Sequence, residues 1–418
     1  MGRRLAGVSR EVTVRAVLRA IAMIVLAAVA ASPALALSLR DRFSETARLV
    51  GLEGGGAFDA LGDAIADTAA RNLPIVSSSA GFTYRYNPQL EVFERTSDTL
   101  GPLFLERPDT LGQGKFNINV SYQYVNLNQI DGTPTDRLEA SDPIIVRVAD
   151  VTGTTVGFTA NRLRYDFNLV NHIVGLSLTY GLLDDLDVNI LVPLIRTEFD
   201  VAATTQQLFI SDTTLTFNPA PGPVVSSDSS ATKYGVGDIL LRAKYQLPRS
   251  AWYRSAVGLQ LRLPSGDKDN FQGTGSFEAS PFYYMSTLLW GWVEPHANVG
   301  LDLRSDDVAR SQARYGLGVD GDVTQRIGLA LAFLGRSQFS GSASSTDTEF
   351  LHLTPSGPAP RPLLGIDFGR KDFFDLSFGG RAVIWQQVML FVNGIYALND
   401  DGLRNDSVIP MIGLEGTF

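Results

Sequence analysis

The stretch Lys115-Phe-Asn-Ile-Asn-Val-Ser-Tyr-Gln-Tyr-Val125 alternates without a break. Phe116, Ile118, Val120, Tyr122 and Tyr124 fall on one face, and Lys115, Asn117, Asn119, Ser121 and Gln123 on the other. A period of two is the signature of a β-strand with one apolar and one wet side. About 10 residues is also the length of a tilted strand that crosses a bilayer.

The same pattern recurs down the chain. Ile239, Leu241, Ala243, Tyr245 and Leu247 oppose Asp238, Arg242, Lys244 and Gln246, and Val257, Leu259, Leu261 and Leu263 oppose Gly258, Gln260 and Arg262. Val293, Ala297, Val299, Leu301 and Leu303 oppose Glu294, His296, Asn298 and Asp302, while Ile327, Leu329, Leu331 and Phe333 oppose Arg326 and Arg336. Val388, Leu390, Val392, Tyr396 and Leu398 share a face further on. With weaker segments near His172–Tyr180, Leu186–Phe199, Phe277–Trp290, Arg314–Asp320 and Asp375–Ile384, the count reaches about 12 strands (10 to 14), an even number as a single-chain antiparallel barrel requires. The connections alternate too. Leu182–Asp185, Pro248–Ser250, Gly291, Gly321–Thr324 and Gln386 are short, whereas Asn126–Asn161, Val201–Thr232, Ser265–Ser276 and Gln338–Pro362 are long. Short turns on one side and long loops on the other predict an all-β transmembrane barrel over residues 113–418, rather than a soluble sandwich or propeller.

Composition agrees. The 418 residues are 44% hydrophobic and 19% charged, carry a net charge of −9 and contain no cysteine. Disorder, disulfide scaffolds and thiolate metal centres are excluded, and the acidic balance argues against nucleic acid as a partner. Arg3, Arg4, Arg10, Arg15 and Arg19 precede an apolar run from Ala20 to Ala31 that ends in Ala34-Leu35-Ala36. Such a run is too short to span a membrane and predicts a cleaved secretory signal over residues 1–36. The expected address is the outer membrane of a Gram-negative bacterium.

Two further features fit that address. All four tryptophans, Trp252, Trp290, Trp292 and Trp385, fall beside short turns, where an aromatic girdle would meet lipid headgroups. The chain ends in Phe418, with Ile412 and Leu414 at alternate positions before it, as in a C-terminal signal for the barrel-insertion machinery; Gly416 departs from that pattern.

Residues 37–112 differ. Phe43, Ala47 and Val50 have helical spacing, and beyond Gly54-Gly55-Gly56 a second helical stripe carries Phe58, Leu61 and Ile65, with Asp59, Asp63 and Asp67 opposite. An irregular stretch follows from Arg71 to Gly112. This segment either folds into the barrel mouth as a partial plug or trails as a mobile periplasmic leader.

Residues capable of chemistry are sparse. The three histidines, His172, His296 and His352, lie far apart in sequence, so no metal site is expected, nor any cofactor. His296 with Asn298 offers half of a barrel-wall lipid hydrolase, but no serine motif accompanies it. Gly235-Val-Gly237-Asp238 precedes a strand and is not a dinucleotide loop. Asp267, Asp269 and Asn270 miss the spacing of a calcium loop.

Gly235-Val-Gly237-Asp238-Ile239 running into Lys244-Tyr245, then Leu263-Pro264-Ser265-Gly266-Asp267 with Gly273-Thr274-Gly275, then His296-Ala297-Asn298-Val299-Gly300, resembles the outer-membrane transporter family associated with the meta-pathway of phenol degradation. The resemblance runs from about His172 to the C-terminus. It implies a bacterial outer-membrane barrel that passes small hydrophobic molecules.

About 12 strands enclose a narrow or filled passage. Its polar lining is predicted to include Arg242, Lys244, Arg262, Glu294, His296, Asp302, Arg326 and Arg336. Near the end, however, Met389, Phe391, Ile395, Ile409 and Met411 fall on the same interior face, and apolar side chains facing water need a cover. Either the N-terminal segment packs there or a hydrophobic ligand does. The reading is a channel for passive uptake of small hydrophobic or aromatic compounds; a general or structural barrel and a lipid hydrolase are the alternatives.

Overall fold

The computed structural model describes residues 37–52, 55–71, 77–78, 84–87, 92–95, 100–210, 217–250, 252–341, 348–367, 369–385 and 387–418. The predicted signal at residues 1–36 lies outside the described residues. Twelve staves close into one antiparallel barrel. They are β1 (Phe116–Leu127), β2 (Thr155–Gly181), β3 (Leu186–Ile210), β4 (Phe217–Val236, resuming as Ile239–Gln246), β5 (Arg254–Leu263), β6 (Glu278–Ser286), β7 (Val293–Arg304), β8 (Gln312–Thr324), β9 (Ile327–Gln338), β10 (Asp372–Trp385), β11 (Val388–Ala397) and β12 (Ile409–Thr417). Closure is made by β12 on β1, from Met411↔Gln123 to Thr417↔Asn117, so no stave is left with an open edge.

The alternation of the quoted stretch is realised as inside and outside. Asn117, Asn119, Ser121 and Gln123 are buried, while Val120 and Tyr122 are exposed. The exposed face continues around the wall through Leu241, Val257, Leu259, Val299, Leu301, Leu329, Leu331, Val392, Ile412 and Leu414. A closed barrel with an apolar outer face and a polar inner one is the form in which strands can cross lipid, since every backbone group is paired around the ring. No helix among the described residues is long and apolar enough to do so.

The wall differs from expectation on one side. Residues 126–161 and 201–232, predicted as long loops, are largely strand: β2 has 27 residues, β3 has 25 and the first part of β4 has 20. The ladder between β2 and β3 runs unbroken from Ala160↔Leu208 to Gly181↔Asp187. The reason is solvent. Above the bilayer the outer face is wet and the inner face meets the helices, so the alternation inverts along β2, where Leu163, Tyr165, Phe167 and Leu169 are buried, and Ser226-Ser227-Asp228-Ser229-Ser230 loses it while keeping its backbone pairs to β3. Short strands Ile144–Ala149, Glu349–Thr354 and Gly357–Pro362 thicken the same rim.

Helices α1 (Asp41–Leu49) and α2 (Gly55–Arg71) lie inside this raised rim. Phe43 is fully buried among Tyr165, Phe167, Phe199 and Phe271, with ring centroids 5.0 to 6.4 Å away, and its carbonyl accepts a 2.8 Å hydrogen bond from the Tyr165 hydroxyl. Phe58, Leu61 and Ile65 join the same core. Asp67, assigned to the wet face of α2, is instead buried: Arg304 donates to it at 2.7 Å, because the side of the helix away from the apolar core faces the charged inner wall.

Candidate functional site

The first two motifs that carried the resemblance prove to be a latch for the chain entering α1. Asp238 interrupts β4 and accepts from the Thr274 backbone and hydroxyl at 2.8 and 2.7 Å and from the Gly266 N–H at 3.1 Å, folding the 264–277 loop inward. At Gly266 an added Cβ would stand 2.3 Å from the Gln272 carbonyl, which explains a glycine there. The loop then grips the N-terminal segment. Asn270 Oδ1 accepts from Leu39 N–H, the Asp269 carbonyl accepts from Arg40 N–H at 2.9 Å, and the Asp269 carboxylate pairs with the Arg40 guanidinium at 2.8 Å. The loop acids weighed for a cation thus serve as a turn cap at Asp267 and a docking contact at Asp269.

Below the helices, residues 100–111 cross the lumen as an extended strap without regular structure. Its first half is apolar. Leu103 packs on Phe391 and Met411 together with Phe104, Leu100 packs on Met389, and Leu105 sits over Gly316 and Gly318, whose hydrogen atoms leave the room it occupies. Met389, Phe391, Ile395 and Met411 are therefore buried on the inside, and the strap is what covers three of them. Arg381 donates to the carbonyls of Leu100 and Pro102 at 2.9 and 2.6 Å.

The second half is ionic. Glu106 lies 3.8 Å from both Arg242 and Lys244. Arg107 reaches Glu294 at 3.7 Å and Asp320 at 4.0 Å while its carbonyl accepts from Lys244 at 3.0 Å. Asp109 pairs with Arg254 at 2.6 Å, and Arg254 also holds Glu294 at 2.6 Å. At Gly101 the φ of +82° and an Arg107 nitrogen 2.6 Å from where a Cβ would stand both demand glycine.

The assigned polar lining divides accordingly. Lys244, Arg262, Glu294, His296 and Asp302 are buried inside, and Arg242 and Arg336 line a cavity above the strap. Arg326 is a correction: it is exposed in the turn between β8 and β9, beyond the last inward position of either strand. Glu294, His296 and Asp320 bring three potential ligand atoms within 4.8 Å of one another, the one such group among the described residues. The guanidinium of Arg254 already neutralises Glu294, and Asp320 hydrogen-bonds His296, so the cluster reads as the anchor of Arg107. Ser286 is the cross-strand neighbour of His296, a proximity invisible in sequence. Neither Ser286 Oγ nor His296 Nδ1 has a hydrogen-bond partner, so a catalytic serine–histidine bond is not formed.

Trp252, Trp290, Trp292 and Trp385 are all exposed at the short-turn end. Phe418 stacks on Phe116 with centroids 5.4 Å apart, and a Cβ on Gly416 would stand 2.9 Å from the Phe418 ring, which accounts for the departure at that position.

Above the strap lies a cavity of about 160 Å³, floored by Phe104, Leu105 and Glu106 and reached by Arg71 at the end of α2. Burial pushes the Arg71 guanidinium below its ordinary pKa against the pull of Asp67 and Glu278, with Arg304 and Arg262 adding to the depression. Sequence comparison then supplies a relative for the wall around this cavity. Residues 147–380 match the family model described as "Putative MetA-pathway of phenol degradation", which is more than half of the chain. The chain belongs to this family. No curated protein matches it. Among solved structures, the COG4313 outer membrane channel from Pseudomonas putida F1 is 13% identical with a TM-score of 0.45, covering 74% of this chain and 97% of that one. A Pseudomonas aeruginosa FadL homologue is 10% identical with a TM-score of 0.33, covering 73% and 90% respectively. A member of the phenol-degradation family that forms a closed barrel with an apolar outer wall is an outer-membrane protein.

Proposed function

We propose that this protein is an outer-membrane channel for the passive uptake of small hydrophobic or aromatic compounds, with residues 37–112 as its plug. The observation that carries the reading is the apolar strip Met389, Phe391 and Met411, set into an otherwise polar lumen and covered by Leu100 and Leu103. A strip that faced water permanently would be costly, and a general porin has no use for one. Covered by a strap held at its other end by ion pairs, it offers a surface that an apolar solute can take over when the strap shifts. Membership of a family tied to phenol degradation supports the same solute class. Nothing in the mechanism calls for an energy source: solute enters between the outer loops, rests in the cavity, exchanges with the strap for the apolar strip and leaves toward the periplasm. The exported chain would meet the barrel-insertion machinery through Ile412, Leu414 and Phe418, and outer-membrane lipid through its outer wall and tryptophan girdle.

The test is uptake of a fluorescent aromatic tracer into cells expressing the protein with Phe391→Asp and Met411→Asp together. A buried carboxylate on an apolar path costs several kcal/mol, so uptake should fall by at least about tenfold. Unchanged uptake by a correctly inserted double variant would remove the apolar-strip mechanism.

A further inference from the structure

A second cavity lies in the raised rim, at the C-terminal end of α1. It measures about 400 Å³, against about 160 Å³ for the cavity over the strap. A space of about 150 Å³ already holds a benzene ring, so this one takes a small ring with a substituent. Its walls are the inner faces of the strand Ile144–Ala149, β2, β3 and β4. Thr159 and Asn161 on β2 and Thr205 and Gln207 on β3 stand nearer the tips of those strands than Phe167 and Phe199, which pack on Phe43. A solute arriving over the rim therefore meets this cavity before the strap.

Most of the surface is aliphatic, from Val50, Val146, Val148, Pro223 and Val225. The polar groups set into it offer mainly acceptors. Asn161 is only 6% exposed, and its Oδ1 has no hydrogen-bond partner among the described residues. Backbone pairing to Gln207 on one side and Ile144 on the other fixes its place in the wall. Thr205 spends its O–H on the Val50 carbonyl at 3.0 Å, which leaves its lone pairs for a ligand. The helix ends here as well: the N–H groups of Val50 and Gly51 turn back to the carbonyls of Ala47 and Arg48, so the negative end of the helix dipole lies at the cavity. Among the described lining residues Arg147 is the one charged side chain; it is exposed, and its Nε donates to the Thr155 hydroxyl. A buried oxygen without a donor is costly, and a ligand O–H delivered by an apolar body removes that cost.

We infer that this cavity is a capture site for small neutral hydroxyl compounds, the apolar body against Val50, Val146 and Val225 and the O–H donated to Asn161 Oδ1. This rests on the uptake reading above and narrows its solute class at the mouth. An ether of the same shape has no proton to give, and a carboxylate meets acceptors and the negative helix end.

The experiment is titration calorimetry of the full-length protein in detergent, with matched detergent in cell and syringe, against benzyl alcohol, benzyl methyl ether and benzoate. Benzyl alcohol should bind about tenfold more tightly than its methyl ether, as one hydrogen bond to a buried acceptor provides, and benzoate more weakly than the alcohol. Asn161→Leu should bring the alcohol-to-ether ratio close to one. Val225→Trp, at a position 42% exposed, should fill the cavity and abolish binding of both, and the ratio in the unaltered protein stands as a test even if a variant does not assemble. Equal binding of alcohol and ether, or a ratio that survives Asn161→Leu, would overturn the role of Asn161. Benzoate binding as tight as the alcohol would overturn the selection for neutral donors and assign the site to Arg147. Absence of alcohol binding would overturn the capture site itself, and the tracer assay on Phe391→Asp with Met411→Asp would then decide the uptake reading independently.

Discussion

The N-terminal segment is held in two ways at two heights of one lumen. In the raised rim, α1 is gripped by an aromatic core in which Phe43 touches four rings and is wholly excluded from solvent. Lower down, the strap is held by Leu100 and Leu103 on a narrow apolar strip and by ion pairs of 3.7 to 4.0 Å at Glu106 and Arg107. Apolar packing loses free energy steeply when a large side chain is withdrawn, whereas ion pairs of 3.7 to 4.0 Å are longer than a charge-assisted hydrogen bond and give up less when the chain shifts. The difference makes the rim the fixed attachment and the strap the part that can yield. A channel in which solute displaces a segment needs both.

The largest expected effect breaks the fixed attachment. Phe43→Ala should cost about 3–5 kcal/mol, the range for removing a buried phenyl ring, and should release α1 from the rim. Because the wall closes through its own backbone ladder, the variant should still show the heat-modifiable gel shift of a folded barrel. Single-channel conductance in a planar bilayer should rise from near zero to a steady open level. A sealed Phe43→Ala barrel would mean that α1 contributes nothing to occlusion.

A smaller effect is expected at the yielding end. Arg107→Ala removes charge-assisted contacts worth about 2 kcal/mol, leaving Glu294 to Arg254 and Asp320 to His296. Here conductance should appear as brief openings rather than a steady level, and a protease should gain access to residues 100–111 while the barrel itself stays intact. If the strap stayed as protected as in the unaltered protein, the apolar strip alone would be holding it, and the contrast between the two heights would fail.

How far the amino-acid order reveals this architecture depends on what solvates each part. Where lipid lies on one side and a polar lumen on the other, as along Lys115–Val125, the two solvents impose a period of two that can be read by eye. The apolar strip at Met389, Phe391 and Met411 was readable for the same reason, as a violation of that rule. In the rim the outer face is wet and the inner face packs on the helices, so the alternation changes its sense or lapses and strands looked like loops. The strap left still less trace. Glu106, Arg107 and Arg381 owe their roles to partners between 136 and 281 residues away, as with Arg242 for Glu106, Glu294 for Arg107 and Leu100 for Arg381, and no local pattern encodes such distances. Gly101 alone carried a hint, since a glycine inside an irregular stretch marks a backbone that approaches something closely. Ser286 beside His296 shows the opposite hazard, a convergence that only register reveals and that forms no bond.

The smallest effect concerns the outside of the wall, where lipid rather than protein is the partner. Trp290 is exposed in a short turn with φ +52°, so its ring makes little contribution to internal packing, and Trp290→Gly should change stability by less than about 0.5 kcal/mol. Its value would lie in position. If the four tryptophans form a girdle at the headgroups, lipids brominated near the headgroup should quench their fluorescence more strongly than lipids brominated near the chain ends. Since all four sit at the same end of the barrel, they should quench together, with no protected fraction. Two populations would mean that the short turns do not share one depth and that the four tryptophans do not form one girdle.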